Sequence, residues 1–566
     1  MISAAFVAAG VSFVPGVAYA ADPAAKDLSA KVESVKEQAA AKAATFKGSA
    51  ESSKPAPKPV QVSAAERAAA AAALDKSAGA GTSAAVDATP LVKANPGLGI
   101  FAVATGTGAH GFTLKSRVTT SAASALRVEV NWGDGSPVET RYTTDATSLD
   151  SRHSYAKVGA HTATVTVTDL NNEVSSTDTV KLLSYGSEFT PHDPTRLLDT
   201  RDGTGTDYAH AVPAYGSTRV KVGGNSGIPL GATAVALNVT VTNAAADGHV
   251  LAYASGGPRP EASIVNFVKG QTVPNLTIVP VGADGYVELV NNSWGQADLI
   301  ADVTGYFTRS EASGYTSVNP TRFVDTRSWN GGRGAGLPGG STTGLRILGQ
   351  AGVPASGVTA VALNVTVTNP KDAGHLSVFP AGSGLPSTSN LNFVGGQTVA
   401  NSVIVPVGAD GWINVRNGSW NSTDMVIDVV GYYSPDSKAA YLPVEPTRLH
   451  DSREWSPVAA QDYRYFWLSD GEPSVKAFVL NTTVTNTKDD GHLSVAPDPN
   501  TKARYLAGNP VWPAVPNSSN LNWTKGKTVP NLVQASTGTT GVIDFWNRGW
   551  MPTDLVIDMF GLYETD

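Results

Sequence analysis

The chain has 566 residues, and its 41 Lys and Arg against 48 Asp and Glu give a formal charge of −7. At about 150 residues per folding unit, this length predicts three or four domains and disfavours one compact enzyme domain. Only 16% of the residues are charged and none is cysteine, which argues against a nucleic-acid partner and excludes disulfides and thiolate metal sites. The 57 glycines and 35 prolines favour short strands joined by turns over long helices.

Residues 1–20 have the pattern of a secretory signal peptide. They are apolar and end in Ala18-Tyr19-Ala20, although no basic residue precedes Lys26 to supply the usual positive start. A membrane anchor is the alternative, but Pro15-Gly16 interrupts the apolar run and disfavours a spanning helix. We therefore expect a secreted or cell-surface-associated protein with no stable membrane span after signal cleavage.

Residues 21–92 are dominated by Ala, Lys, Ser and Pro, and their only aromatic residue is Phe46. Such a composition predicts a disordered or partly helical tether without a core of its own. Ser63 and Glu66 form a capping-box pattern before an alanine run, so a helix is expected there. The tether is either a spacer that holds the folded part away from a cell surface or simply a disordered N-terminus.

Residues 93–186 alternate apolar and polar side chains, as in Arg127–Trp132 and His161–Asp169, which indicates half-buried strands. Together with the turn Gly133-Asp134-Gly135, these segments resemble the PKD (polycystic kidney disease) domain. The resemblance implies an immunoglobulin-like sandwich that acts as an extracellular spacer or interaction module. Asp134 is expected to bond its own turn backbone, with ion binding as the less common alternative.

The remaining sequence is one unit repeated three times. The opening segment Pro194–Arg201 recurs as Pro320–Arg327 and as Pro446–Arg453, and Val, Ile, Thr and aromatic residues alternate between Gly, Asp and Asn turns. The predicted repeat domains are 187–308, 313–434 and 440–565. The fold class is therefore all-β, and both a row of three beads and a pseudo-threefold cluster fit the sequence.

The repeats resemble modules of exported actinobacterial surface proteins over Phe189–Tyr563. The resemblance lies in the Pro-Thr-Arg-x-x-Asp-Thr-Arg opening, the Leu-Asn-Val-Thr-Val-Thr strand and the Asp-Val-x-Gly-Tyr close. It implies glycan-binding or structural parts of surface-displayed proteins. The third copy departs from the pattern at Asn522-Trp523, so a shared site is least certain there.

Each copy carries arginines and aspartates that we expect to form structural ion pairs, because a partly buried carboxylate favours a bidentate guanidinium partner. Asp298 and Asp302 lie four strand residues apart, or ~13 Å, which is wider than the ~5 to 9.5 Å of glycosidase carboxylates. A polysaccharide-acting hydrolase is therefore only the third hypothesis, and we expect no enzyme activity. The predicted ion-pair residues are Arg196, Asp199, Arg201, Asp302, Arg322, Asp325, Arg327, Asp428, Arg448, Asp451, Arg453 and Asp558.

Recurrent histidine turns and tryptophans are the candidate ligand-binding residues. A turn with a carboxylate and an imidazole suits sugar hydroxyls, and an exposed indole can stack on a pyranose. The alternatives are that the tryptophans belong to the core and that the histidines cap turns; no metal or cofactor is expected. The candidates are Asp247, His249, Trp294, His375, Trp420, Asp490, His492 and Trp550.

The sequence thus predicts an exported, non-catalytic, multivalent protein that binds polysaccharide or cell-envelope glycan. Three weak sites on one chain can improve avidity by ~10² to 10⁴ when the ligand spans them. The rival hypothesis is a structural or assembly protein whose repeats dock a protein partner.

Overall fold

A computed structural model describes residues 27–41, 45–48, 56–77, 95–328, 336–408, 410–469 and 474–566. The predicted signal peptide, residues 1–20, lies outside them. The predicted all-β class is confirmed, because antiparallel sheets make up the sandwich and all three repeats. Within the described ranges, no helix has the length and apolar character needed to cross a membrane.

The N-terminal stretch contains two helices and two short strands. They are α1 (Ser29–Ala41), β1 (Phe46–Lys47), β2 (Lys58–Pro59) and α2 (Ala64–Ser77). The capping box at the start of α2 is present, with Ser63 Oγ accepting from the Glu66 backbone N–H and a Glu66 carboxylate oxygen accepting from the Ser63 N–H.

The described parts of this stretch are docked on the folded domains, which the tether prediction did not foresee. Helix α1 buries Val32 and Val35 in the core of the third repeat, and α2 packs Ala70 against Leu170 of the sandwich. Strand β1 extends one sheet of the sandwich. A polar, alanine-rich segment cannot form its own core, but one narrow apolar stripe per helix is enough to cover another domain.

The sandwich has two antiparallel sheets around a core that includes Leu114, Trp132 and Val165. One sheet has the strand order β1-β3-β4-β7 and the other β2-β9-β8-β5-β6. Asp134 accepts from the Ser136 backbone N–H at 3.0 Å, so the turn interpretation of this aspartate is confirmed. The strands are β3 (Gly99–Gly106), β4 (Gly111–Thr119), β5 (Leu126–Asn131), β6 (Glu139–Thr143), β7 (Thr147–Ser154), β8 (Ala160–Asp169) and β9 (Val174–Leu183).

Each repeat is a pair of four-stranded antiparallel sheets. In the first repeat the strands are β10 (Glu188–Asp199), β11 (Ser217–Lys221), β12 (Ala232–Thr242), β13 (Gly248–Ala254), β14 (Val265–Phe267), β15 (Val273–Pro280), β16 (Tyr286–Ser293) and β17 (Asp298–Thr308). In the second they are β18 (Gly314–Asp325), β19 (Thr342–Arg346), β20 (Ala360–Thr368), β21 (Gly374–Pro380), β22 (Leu391–Phe393), β23 (Val399–Pro406), β24 (Trp412–Asn417) and β25 (Asp424–Ser434). In the third they are β26 (Ala440–Asp451), β27 (Asp462–Trp467), β28 (Val475–Thr485), β29 (Gly491–Pro497), β30 (Leu521–Trp523), β31 (Val529–Ser536), β32 (Val542–Asn547) and β33 (Asp554–Glu564), with α3 (Lys502–Leu506) in the loop after β29.

The two sheets of a repeat differ in burial. The sheet β10-β17-β12-β15, here called the axial sheet, is covered on both faces, and the central strand β12 is almost wholly buried. The sheet β11-β16-β13-β14, here called the peripheral sheet, has an edge strand in which buried and exposed residues alternate. A run of apolar and Thr residues therefore marks the sheet that has neighbours on both sides.

The three repeats close into a ring around a central aromatic hub. The hub has pairs of rings in stacked or tilted contact, such as Phe189 with Tyr433 at 4.2 Å and Tyr315 with Tyr563 at 4.2 Å between centroids. All of its members are almost completely buried, and each repeat supplies two of them. The hub residues are Phe189, Phe307, Tyr315, Tyr433, Tyr441 and Tyr563.

A ladder of buried asparagines joins the axial sheets in cyclic order. Asn401 donates to Asn238 Oδ1 of the first repeat, Asn531 to Asn364 Oδ1 of the second, and Asn275 to Asn481 Oδ1 of the third. The Asn238 amide also donates to the Ser389 carbonyl of the second repeat at 2.7 Å. The sequence was compatible with a row of three repeats and with a pseudo-threefold cluster of them. The structure shows the pseudo-threefold cluster.

The glycine of the Asp-Val-x-Gly-Tyr close lies directly under a hub ring. A Cβ at Gly305 would stand 2.0 Å from the Phe189 ring, and one at Gly431 would stand 2.1 Å from the Tyr315 hydroxyl. Only hydrogen fits at this position, so the motif glycine is required for the close approach of the ring.

Candidate functional site

The predicted ion pairs are present at the edge of each axial sheet. In the first repeat Arg196 and Asp302 are cross-strand neighbours on β10 and β17, with Arg196 Nε 2.9 Å from Asp302 Oδ1. The same guanidinium reaches Asp199 at 3.0 Å, and Arg201 Nε donates to Asp199 Oδ1 at 2.9 Å. Two arginines thus bind two carboxylates in one network.

The network recurs in the other repeats. Arg322 contacts Asp428 and Asp325, and Arg448 contacts Asp558 and Asp451. Arg327 and Arg453 complete these networks as Arg201 does in the first repeat.

Burial and the arginines act in opposite directions on the carboxylates. Burial raises the pKa of Asp302, Asp428 and Asp558, and the hydrogen bonds and charge of the facing arginine oppose that rise. The more exposed Asp325 differs, because hydrogen bonds from Arg327 lower its pKa. The arginines therefore hold these groups as structural carboxylates.

The histidine turns lie at the opposite edge of each repeat. His249 pairs with Asn266 on β14 and with Asn292 on β16. The Asn292 amide nitrogen donates to His249 Nε2 at 2.8 Å, while its oxygen accepts from Arg259 at 2.9 Å. The Arg259 contact fixes the orientation of the amide, so Nε2 of the imidazole is an acceptor and the ring proton lies on Nδ1.

All three turn histidines are neutral at pH 7. Burial lowers the pKa of His249 and of His375, and nearby arginine charges add to the shift. Burial and the charges of Arg548 and Arg322 lower the pKa of His492 to about 4.

Ring closure brings the arginine network of one repeat against the histidine turn of the next. At the boundary of the first and second repeats, a cavity of about 200 Å³ is lined by Arg196 and Thr240 on one side and by His375 and Asn392 on the other. At the boundary of the third and first repeats, equivalent residues line a cavity of about 230 Å³. We call these cavities the boundary clefts.

The boundary of the second and third repeats has the same elements. Arg322 of the second repeat donates to the carbonyl of Asn517 at 2.7 Å, and its charge contributes to the lowered pKa of His492. The Arg322 guanidinium thus extends across this boundary to the third repeat.

The predicted tryptophans lie on the surface. Trp294, Trp420 and Trp550 are 83%, 92% and 74% exposed, so the alternative that they are core residues is wrong. Each tryptophan lies in the turn that follows strand β16, β24 or β32. That strand pairs with the strand that carries the histidine of the same repeat. In the first repeat, Ser293 just before Trp294 is the register partner of Gly248 just before His249. The Trp and the His of one repeat are therefore on adjacent strand ends.

A buried asparagine holds each tryptophan turn. The Asn291 amide donates to the carbonyls of Val212, Pro213 and Gly295 at 2.9 to 3.1 Å. Asn417 and Asn547 make the same three bonds in the other repeats. These asparagines were not among the predicted functional residues, although each stands at a constant spacing of three residues before the Trp, which was a visible signal.

Two predicted ligand residues bind the turn that follows a short strand, β14 in the first repeat and β30 in the third. Asp247 Oδ1 accepts from the Lys269 backbone N–H at 2.7 Å, and Asp490 Oδ1 accepts from the Lys525 N–H at 2.8 Å. Neither aspartate is among the residues that line the two clefts. Threonines and asparagines of the strands line them instead.

The third repeat has a buried acidic pair at the peripheral sheet. Asp544 on β32 lies beside Asp498, which already accepts from the backbone and side chain of Asn500 and from the Tyr505 hydroxyl. Burial, together with Asp498, raises the pKa of Asp544 far above its ordinary value. Asp544 therefore carries the proton of the pair.

We expect Asp544→Asn to stabilise the protein at alkaline pH. A carboxyl whose pKa is raised by folding stabilises the protein below its unfolded pKa of about 3.9, and the contribution falls by about 1.4 kcal/mol per pH unit until the folded pKa is reached. Thermal unfolding of the whole chain at pH 5 and pH 9 tests this. The midpoint temperature of unfolding should fall less between pH 5 and pH 9 in Asp544→Asn than in the wild type. The control is Asp207→Asn, at an exposed position. Equal pH dependence of the wild type and Asp544→Asn would contradict the protonated pair.

Comparisons with protein families and known proteins give little further evidence about these residues. No family model matches the chain, and no curated protein matches it. A solved structure described as a SusE-like protein shares 10% identity, and the match covers 36% of this chain and 95% of that one. Its TM-score is 0.12, so this likeness carries no argument about fold or function.

Proposed function

We propose that the protein is an exported, non-catalytic, multivalent glycan-binding protein that attaches to polysaccharide of a cell envelope through its three repeats. The main support for this proposal is the exposure of Trp294, Trp420 and Trp550 at the same turn of each repeat. The exposure of a large indole side chain to water is unfavourable in free energy, and the flat face of the indole suits the apolar face of a sugar ring.

The rigidity of the tryptophan turns supports stacking. Because the Asn291 amide binds the Gly295 carbonyl just after Trp294 and the Pro213 carbonyl of a neighbouring segment, the backbone of the turn is ordered before any ligand arrives. Binding then loses less conformational entropy than it would on a mobile loop. The cyclic arrangement holds the three turns at fixed relative positions, which is the condition for avidity towards a long polymer.

A protein partner is the second candidate function, and one observation favours it. The loop after β29 of the third repeat exposes Leu506, Val511, Trp512 and Val515, each by more than 45%. Contiguous exposed apolar groups of this kind often mark protein interfaces. However, the repeats bury the aromatic hub residues against one another, so these side chains are not available to a protein partner, which favours the glycan proposal for the repeats as a set.

The test of the proposal is a glycan array probed with the whole chain and with Trp294→Ala/Trp420→Ala/Trp550→Ala. The chain should bind one class of polysaccharide, and the triple variant should lose ~10²-fold or more in apparent affinity, because each site contributes to avidity. Trp455→Ala is the matched control, since Trp455 is 54% exposed outside the repeated turn. Equal binding by the triple variant and the wild type would refute the role of the turns.

A further inference from the structure

We infer that the boundary clefts are a second class of carbohydrate site, each of which takes a single sugar unit such as a chain end or a branch. The inference rests on the proposed function only in assigning the ligand as a carbohydrate. The clefts are separate from the tryptophan turns, because none of the three tryptophans lines either cavity.

The cavity recurs at equivalent positions of two repeat boundaries. Thr240, Thr242 and Thr272 line one cleft, and their repeat equivalents Thr483, Thr485 and Thr528 line the other. In each cleft His, Ser and Asn of the following repeat complete the wall. The same ten positions thus form a cavity at two boundaries, which is the mark of a built feature rather than a packing defect.

The walls of the clefts are rich in hydrogen-bonding groups. In the larger cleft His249 offers a ring N–H because its other nitrogen is already an acceptor, and in both clefts the threonines offer hydroxyls that both donate and accept. The arginines are paired with buried aspartates behind them, as Arg196 is with Asp302. The smaller cleft has balanced charge, and the larger one adds the carboxylate of Glu261, so both walls suit a neutral polyhydroxyl ligand better than an anion.

Some buried polar atoms at the repeat boundaries have no hydrogen-bond partner among the described residues. Thr483 Oγ1, which belongs to a residue lining the larger cleft, has no hydrogen bond. At the boundary of the second and third repeats, Asn522 Oδ1 is likewise unpaired. An unsatisfied buried polar atom costs about 1–3 kcal/mol, and ligand hydroxyls would recover that free energy.

The volume of each cleft matches one sugar ring. Cavities of about 200 and 230 Å³ fall below the ~300–1,000 Å³ of sites for drug-sized ligands. A cleft therefore accommodates one sugar ring and not a length of chain. Because each cleft needs walls from two repeats, it exists only in the closed ring, which gives the triplication a role beyond avidity.

The experiment is saturation-transfer NMR of the whole chain with free glucose, galactose, mannose, arabinose and N-acetylglucosamine. Two triple variants probe the clefts: Thr240→Val/Thr366→Val/Thr483→Val removes one hydroxyl per boundary at constant shape, and His249→Phe/His375→Phe/His492→Phe removes the ring donor. Thr179→Val, at an exposed strand position of the sandwich, is the matched control.

We expect the wild type and the triple Trp variant both to show transfer to at least one monosaccharide, and we expect the dissociation constant to rise tenfold or more in both cleft variants. If no sugar shows transfer while polysaccharide still binds, the clefts are not sites but the proposed function stands. If transfer is lost in the Trp variant and kept in the cleft variants, the sugar sits on the turns and the inference is wrong. If neither polysaccharide nor monosaccharide binds, both proposals fail.

Discussion

Replacing Tyr433 with alanine is expected to lower the free energy of unfolding by about 3–5 kcal/mol, because the substitution opens a cavity at the centre of the ring. Tyr433 is completely buried, stacks on Phe189 of the first repeat and bonds Tyr563 of the third through its hydroxyl at 2.6 Å. One side chain thus contacts all three repeats. Denaturant unfolding of the whole chain measures the loss.

The conservative variant Tyr433→Phe separates packing from hydrogen bonding. It keeps the ring and removes a hydroxyl that also accepts from Gln534 at 2.9 Å, so a smaller loss of about 1–3 kcal/mol is expected. A loss below about 1 kcal/mol for Tyr433→Ala would show that the ring does not depend on the hub.

The second large effect is expected for Arg196→Met, which leaves the buried Asp302 without its cation. Removal of one partner from a buried pair costs about 3–5 kcal/mol. The deficit should shrink as the pH falls, because burial raises the pKa of Asp302 and the carboxyl can then take a proton. Thermal unfolding between pH 4 and pH 8 measures both the size and the slope.

Arg219→Met is the control for this pair. Arg219 and Asp284 form an ion pair in which both side chains are nearly half exposed, and such solvent-screened surface pairs contribute little to stability. Equal losses for Arg196→Met and Arg219→Met at neutral pH would contradict a structural role for the Arg196 network.

The strands and repeats were predictable because they depend on local patterns. The alternation of apolar and polar residues in Val239-Thr240-Val241 predicts a strand, and the recurrence of Pro-Thr-Arg segments predicts three repeats. The Arg196–Asp302 pair was also predictable, since charged residues recurring in apolar strands need partners.

The ring and the clefts were not predictable, because their contacts join different copies. Nothing local to Asn238 indicates that it meets Asn401, and His375 meets the Arg196 network only after closure. The exposure of Trp294 could not be predicted from its neighbours in sequence either, since an indole in a β module suits a core as well as a surface. The docking of α1 was missed because its apolar stripe is short and its partner surface lies over 400 residues away.

The most direct test of the account is the retention of the whole chain on insoluble envelope polysaccharide as Trp294, Trp420 and Trp550 are replaced by alanine one, two and three at a time. We predict a stepwise fall in apparent affinity with each substitution, at unchanged thermal stability, because the three turns act on one polymer and the side chains lie outside the core. Retention that is the same for the wild type and the triple variant would contradict the central claim that the repeats hold glycan through these turns.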